Sequence, residues 1–435
     1  MQRVIVWFKT DLRVNDNEVL FKAIQNNKEI IPVYCFDEND FGKSAFGFQK
    51  TGKYRAKFLL ESLQDLNDQL KKRGSGLLVV KGKPEIEIPK IILKYGATKI
   101  YTKKEVAYSE KNTLEKVRTA ASKIHCDVSI FSTSTLYHPE DLPFSIKNIP
   151  DVFTDFRKKV EKESTVRAIY NAPSVIQSPF LPEFNLPPLS DLIGSNTVEF
   201  DERSVLHFVG GETNACQRLD YYLFDKKLIV NYKQTRNGLL GSDYSTKLSP
   251  WLAMGSISPR YIYAKIKEFE AEYGENESTY WLVFELLWRD FFRFMFKKHN
   301  EKLFLLNGIA KSIKYQKNTN LDQLHSWIEG ETGNDFVDAN MNELKCTGFM
   351  SNRGRQIVAS YLINDLKVDW RYGASYFEQE LIDYDVSNNW GNWAYLAGVG
   401  NDPRSSRYFD TKKQASEYDK NGEYQKKWQT INSVK

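Results

Sequence analysis

The stretch Asp243-Tyr-Ser-Thr-Lys-Leu-Ser-Pro-Trp-Leu-Ala-Met-Gly-Ser-Ile-Ser-Pro-Arg260 sets the character of the second half of this 435-residue chain. Ser-Pro occurs at 249–250 and again at 258–259, and a capping residue followed by proline marks the start of a helix. Ahead of the first start stand three hydroxyl side chains, Ser245, Thr246 and Ser249, and one amine, Lys247. The free N–H groups and positive dipole end of a helix start suit an anion. The same spacing also fits an ordinary capped helix with solvated polar neighbours, and spacing alone favours that plainer reading. Long helical patterns continue beyond it at Thr279–Lys298 and Gly354–Trp370, with few β-branched runs. Residues 204–435 are therefore read as an all-helical domain, large enough for a core of its own.

Working toward the N-terminus, residues 133–203 read as an inter-domain linker. Eight of the fourteen prolines lie between Pro139 and Pro188, a span without glycine, and such sequence gives extended, stiff chain. Its middle, Asp151–Glu163, is compatible with a helix. Residues 1–132 alternate. Apolar β-rich blocks at Arg3–Phe8, Glu29–Phe36, Gly76–Lys81, Lys99–Thr102 and Asp127–Phe131 are separated by segments of helical period such as Lys57–Arg73. This pattern predicts an α/β domain built on a parallel sheet. No Gly-x-Gly-x-x-Gly follows the first strand, which argues against a dinucleotide bound there in the usual way.

Composition excludes more than it assigns. With 41% hydrophobic and 27% charged residues, the chain is an ordinary globular one. No run approaches the ~18–20 apolar residues of a membrane span, and the opening residues lack the apolar region of a signal peptide. Cys35, Cys126, Cys216 and Cys346 are far apart, which disfavours a disulfide framework or a metal cluster. A cytoplasmic setting without membrane or metal follows. The net charge of +5 permits a nucleic-acid partner without announcing one. Eight of the nine tryptophans lie at or after Trp251, so whatever uses large π systems belongs to the helical half.

The 243–260 block resembles the flavin-diphosphate segment of the photolyase/cryptochrome family. The resemblance extends over nearly the whole chain, through Phe208-Val-Gly-Gly-Glu-Thr213, Phe284-Glu-Leu-Leu-Trp-Arg-Asp-Phe-Phe292 and Leu381-Ile-Asp-Tyr-Asp-Val-Ser-Asn-Asn-Trp-Gly-Asn-Trp393. Thr235-Arg-Asn-Gly-Leu-Leu-Gly241, Asn352-Arg-Gly-Arg-Gln356 and Gly398-Val-Gly-Asn-Asp-Pro403 are similar to its cryptochrome-DASH branch. The resemblance implies the fold already read, an N-terminal parallel-sheet α/β domain joined by a long linker to an all-helical FAD-binding domain.

It also implies roles. Tyr232 with Ser245, Thr246, Lys247, Leu248 and Ser249 would grip the FAD diphosphate and nearby ribose. Asp383 and Asp385 would face ribose and flavin, Arg355 would pair with Asp383, and Asn389 would sit beside the flavin N5. Asp383, Asp385, Asn388 and Asn389 read equally well, on their own, as a helix-capping loop. Trp393, Trp370 and Tyr315 would pass electrons to the flavin, with Tyr315 standing where the family carries tryptophan. Glu285, Trp288, Arg289, Asn352 and Arg353 match the lesion pocket and its rim, with Arg289 and Asn352 also reaching the cofactor. Arg236 matches a phosphate contact, and Tyr395 replaces a tryptophan of duplex photolyases. Arg289 and Arg293, with Asp290 between them, read otherwise as a solvated, salt-bridged helix face. Glu105, on its own an unremarkable surface residue after a strand, matches the acidic residue that binds a 5,10-methenyltetrahydrofolate antenna. The implied activity is blue-light-dependent repair of cyclobutane pyrimidine dimers by a monomer, preferentially in single-stranded DNA. The alternatives are a light-signalling cryptochrome without repair activity and a duplex-DNA dimer photolyase. Repair of (6–4) photoproducts needs a histidine pair in the pocket, and none of His125, His138, His207, His299 and His325 matches one.

Overall fold

Side-chain alternation in the first strand builds two faces at once. Val4, Val6 and Phe8 point one way and Ile5 and Trp7 the other, all of them buried, as a strand covered on both sides requires. The computed structural model describes residues 3–195, 197–311, 320–402, 404 and 407–429. Strands β1 (Arg3–Phe8), β2 (Glu29–Phe36), β3 (Leu78–Lys81), β4 (Ala97–Lys103) and β5 (Asp127–Phe131) form a parallel sheet in the order β3-β2-β1-β4-β5. Val4 stands opposite Ile30 of β2 and Lys99 of β4. The crossovers carry helices α1 (Glu18–Asn26), α2 (Lys53–Lys71), α3 (Pro84–Tyr95) and α4 (Tyr108–Ser122).

The connecting segment holds α5 (Phe153–Glu163) and α6 (Leu189–Ile193). Its extended portion is laid on the α/β domain, where the Gln177 carbonyl accepts from the Ile30 N–H at 2.8 Å and the Ile176 N–H donates to the Arg73 carbonyl at 2.7 Å. From Glu212 onward the chain is helical: α7 (Glu212–Asp220), α8 (Tyr232–Thr235), α9 (Ser249–Met254), α10 (Pro259–Tyr273), α11 (Glu277–His299) and α12 (Leu321–Glu329). There follow α13 (Asp335–Thr347), α14 (Asn352–Asn364), α15 (Trp370–Glu380), α16 (Val386–Leu396), α17 (Thr411–Tyr418) and α18 (Glu423–Trp428). No described helix is long and apolar enough to cross a membrane.

The packing joins the two halves. One sheet face, with Ile5, Trp7, Ile31, Val33 and Ile100, closes against Ile88, Ile92, Leu114 and Val117 of α3 and α4. The opposite face, with Val4, Val6 and Phe8, belongs to a single apolar cluster that runs on through Trp251, Phe291, Trp370 and Trp393. The two halves share their core because β1 buries its second face under helices that lie more than 200 residues away in sequence.

Buried carboxylates fasten the junction. Glu212 accepts from the N–H groups of Val14 and Asn15 at 2.8 and 2.9 Å. Asp290 accepts from those of Leu136 and Tyr137, both at 2.9 Å. Asp16 pairs with Arg260 at 2.5 Å. Gly255 ends α9 at φ +66°, and a Cβ there would lie 2.1 Å from the Thr10 carbonyl. Only glycine allows that left-handed turn to touch the end of β1.

Candidate flavin and nucleic-acid site

Arg218 organises the 243–249 segment. Its guanidinium donates to the carbonyls of Thr246, Ser242 and Ser245 at 2.9, 2.8 and 3.2 Å, so three carbonyls of irregular backbone hang from one buried side chain. Ser258 caps α10, accepting from the Tyr261 N–H at 2.9 Å. Ser249 does not cap α9. It is the first helical residue, after Leu248, and that end of the helix has no side-chain cap. Thr246, Leu248 and Ser249 consequently line a cavity of about 420 Å³ that opens between α8, α11, α14 and α16. Ser245 and Lys247 do not line it. Lys247, at φ +60°, turns away and buries its amine over the Tyr244 ring at 2.9 Å from the centroid, without a hydrogen-bond partner among the described residues.

The same cavity gathers Tyr232, Arg236, Glu285, Trp288, Arg289, Asn352, Arg353, Arg355, Asp383, Asp385 and Tyr395. Residues spread over more than 160 positions thus meet in one place. Asp383 accepts from Arg355 at 2.8 Å through one oxygen. Its other oxygen is buried without a partner among the described residues, and an orphaned acceptor facing a cavity fits a ligand hydroxyl. Asp385 is both a cap and a cavity wall. It accepts from the backbone N–H and side-chain amide of Asn388 at 2.9 and 2.7 Å, so the two sequence readings of this loop coexist. Burial alone would raise the Asp385 carboxyl, but Arg289 and Arg293 with the Asn388 bonds hold it below its ordinary value. Asn389 donates to the Ala374 carbonyl at 2.9 Å. With Trp393 it lines an adjoining cavity of about 90 Å³ that shares Asn352, Arg355, Asp383 and Asp385 with the larger one.

The outer part of the cavity is aromatic and basic. Trp288 stacks on Phe153 of α5 at 3.7 Å and 13° and meets Tyr395 edge-on at 5.7 Å and 78°. The linker helix therefore supplies the back wall of this corner. Arg407 lies over Tyr395 at 4.5 Å and also bonds its hydroxyl and the buried Asp402. Arg236 is not free. It pairs with Glu285 at 2.6 Å. Burial raises the Glu285 carboxyl above its ordinary value, against the pull of Arg236. Arg353 lies against Tyr418 at 4.6 Å.

Two expectations are corrected. Arg289 and Arg293 do not form a solvated helix face. Arg289 bonds the carbonyls of Ser134 and Leu252, and Arg293 is 4% exposed. Glu105 is not on the surface. It is 5% exposed and engages Arg293 at 2.7 Å and Lys103 at 3.1 Å. Burial opposes its ionisation, but Lys103, Lys9 and Arg293 outweigh it and hold the carboxyl down at about 2. Arg293 also reaches Asp385 at 3.7 Å and lines a cleft with Lys9 and Thr10, just beyond the end of β1.

Trp393 packs its ring edge against Gly373, one turn along α15 from Trp370, where an added Cβ would lie 2.3 Å away. Trp370 is 1% exposed. Tyr315 lies outside the described residues. Sequence reasoning missed Arg218, Phe153 and Arg407, none of which has a local cue. Only the cationic character of Arg407, next to the motif ending at Pro403, could have drawn notice.

Comparison with known proteins follows the same division. Residues 4–175 match the DNA photolyase family, and residues 281–431 match the FAD binding domain of DNA photolyase. A protein of Gloeobacter violaceus named Cryptochrome DASH is 46% identical over 426 residues, covering 98% of this chain and 85% of its own length. The crystal structure of a Synechocystis cryptochrome superposes with a TM-score of 0.94 at 46% identity, over 98% of this chain and 88% of that one. An archaeal photolyase from Sulfolobus tokodaii, described with two FAD molecules, superposes at 0.79 with 27% identity, over 99% and 90% of the two chains.

Proposed function

Because the chain belongs to the photolyase/cryptochrome family, in its cryptochrome-DASH branch, we propose that it repairs cyclobutane pyrimidine dimers under blue light and prefers them in single-stranded DNA. The observation that carries this reading is one cavity whose inner wall is polar and hydroxyl-rich and whose mouth is an aromatic corner among arginines. FAD fits the inner part. Thr246, Ser249 and Tyr232 would hold the diphosphate end, the orphaned Asp383 oxygen would take a ribose hydroxyl, and Asp385 and Asn389 would flank the flavin. When bound and reduced, the flavin supplies a light-activated electron; the chain supplies position and electrostatics.

At the mouth, the right-angled pair Trp288 and Tyr395 receives the two joined bases. Glu285, whose carboxyl burial pushes up, would face the pyrimidine carbonyl where negative charge develops, the place at which a positioned polar group has most effect. Asn352 lines the same wall and offers an amide. Arg236, Arg353 and Arg407 supply phosphate attraction that a net charge of +5 conceals. Arg236 must exchange Glu285 for phosphate, which costs part of what it gains.

The single-strand preference rests on energetic balance. A dimer in a duplex must be flipped out at a cost of a few kcal/mol, and each base–aromatic stack returns only ~1–3 kcal/mol. Arg407 already covers one face of Tyr395, so less ring is left for the base. A single strand avoids the flipping cost. An antenna, with methenyltetrahydrofolate as the proposed pigment, would sit in a cleft of about 170 Å³ between the strand ends and α16, lined by Lys9, Tyr34, Arg55 and Tyr384. Glu105 does not line that cleft and would act on it through Arg293.

The test gives reduced, illuminated protein the same thymine dimer in single-stranded and duplex DNA at one salt concentration. Faster repair in the single strand is expected. Equal rates refute the preference, and no repair in either, with FAD bound, transfers support to a light-signalling role.

A further inference from the structure

Asp385 belongs to three cavities at once. It lines both parts of the flavin cavity and the cleft at the domain junction, so whatever holds its carboxylate decides which of them it serves. One oxygen is committed: Oδ1 accepts from the backbone N–H and the side-chain amide of Asn388 at 2.9 and 2.7 Å. The other, Oδ2, lies 3.7 Å from Nη1 of Arg293. That distance is too long for a hydrogen bond, so the two groups are joined by charge alone.

Arg293 is held from the other side. Its Nη2 donates to Oε2 of Glu105 at 2.7 Å. Glu105 stands two residues past β4, and its second oxygen, Oε1, has Lys103 Nζ at 3.1 Å and the Thr10 hydroxyl at 3.4 Å. Lys103 in turn donates to the Thr10 carbonyl at 2.9 Å, and Lys9 to the Lys103 carbonyl at 2.7 Å. Glu105, Arg293 and Lys103 are each no more than 5% exposed, so their charges are little screened. Burial opposes ionisation of both acids, yet neighbouring cations and, at Asp385, the Asn388 bonds hold both below their ordinary values. Glu105 itself lines none of the three cavities.

We propose that Glu105 is a positioning residue of the flavin site: by holding Arg293 at the end of the sheet, it leaves the Asp385 carboxylate to the flavin cavity. The proposal rests on the FAD-binding reading above. Without Glu105, the pull of the Arg293 guanidinium falls on Asp385, and the 3.7 Å separation closes to a hydrogen bond. Glu110, the other acid on this side of the cleft, is tied to the Ala107 N–H at 3.2 Å. Asp385 is then drawn toward the cleft that Arg293 lines and away from the flavin. The α/β domain thereby sets a charge beside the cofactor without touching it.

The experiment measures the dissociation constant of FAD and the midpoint potential of the bound flavin. Glu105→Gln should weaken FAD binding on the order of tenfold. It should also raise the potential, because an anion has moved away from a ring that gains negative charge on reduction. Asp385→Asn should do the same, and Glu105→Gln added to it should change neither quantity further. The double variant Glu105→Gln with Arg293→Met removes the pulling cation together with its acid, and should bind FAD more tightly than Glu105→Gln alone. A residue that served only the fold would give the opposite order. In the unvaried protein, where no substituted chain has to fold, FAD should slow amide exchange at 103–105 more than in the neighbouring strand β5. Unchanged binding in Glu105→Gln overturns the proposal. So do effects that add to those of Asp385→Asn, no recovery in the double variant, or equal protection of the two strands. Failure of the underlying reading looks different: the unvaried protein then binds no FAD.

Discussion

At the scale of single residues, the two roles of Asp385 can be pulled apart by chemistry. Asparagine caps a helix about as well as aspartate, whereas alanine costs about 1 kcal/mol. Asp385→Asn keeps the cap, so any fall in the melting temperature of the FAD-free protein reports the lost charge facing Arg289 and Arg293, and FAD retention should fall as well. Asp385→Ala should lower both. Equal retention in Asp385→Asn, measured by the flavin absorbance left after gel filtration, would mean that the carboxylate serves the helix alone. Trp393→Phe should abolish light-driven flavin reduction while leaving yellow colour intact, since the remaining donors are farther away. Steady illumination with reductant distinguishes the two. The motif residues that make these predictions possible were readable from sequence because they sit in short runs. Their partners were not. Arg218 reaches the 243–249 segment by turning back from another helix, and no spacing announces such a contact.

At the scale of elements, the C-terminal helix is held by a buried acid. Tyr424 of α18 donates to Glu343 of α13 at 2.6 Å. Burial pushes the Glu343 carboxyl up to about 7 from an ordinary value of 4.5. Between those values the folded protein keeps a proton that the unfolded chain releases. The stability contributed is complete below about 4.5 and is lost as pH rises through about 7. At about 1.4 kcal/mol for each pKa unit, the loss is at most about 3 kcal/mol. Glu343→Gln should remove that slope, seen as a flatter plot of melting temperature against pH between 5 and 8 (a range of about 3 units). A second element-scale test is Gly255→Ala, where the left-handed conformation alone costs about 1–2 kcal/mol and the clash with Thr10 adds to it. Thermal unfolding should show that loss. Strand and helix types were legible because their apolar periods differ. The uncapped start of α9 was not, since Ser249-Pro250 and Ser258-Pro259 look alike and only tertiary contacts decide which serine caps.

At the scale of the whole molecule, the shared apolar cluster makes the halves one cooperative unit. Residues 1–132 expressed alone should not fold to a stable monomer, because Val4, Val6 and Phe8 would face water. Binding of a hydrophobic dye and poor dispersion of amide resonances are the expected signs, and a well-dispersed spectrum would show that the sheet closes without the helical half. The architecture was legible in outline, from the alternation of blocks, the proline count and the clustering of tryptophan. The shared core was hidden because pattern shows that a strand buries both faces without showing what covers them. The connecting segment has a consequence for engineering. Since Phe153 stands behind Trp288, exchanging this stretch between relatives exchanges part of the aromatic corner too. A chimera made to alter the joint between two modules would also alter what the mouth accepts, and a library that varies Phe153 explores substrate choice from a position no docked strand need touch.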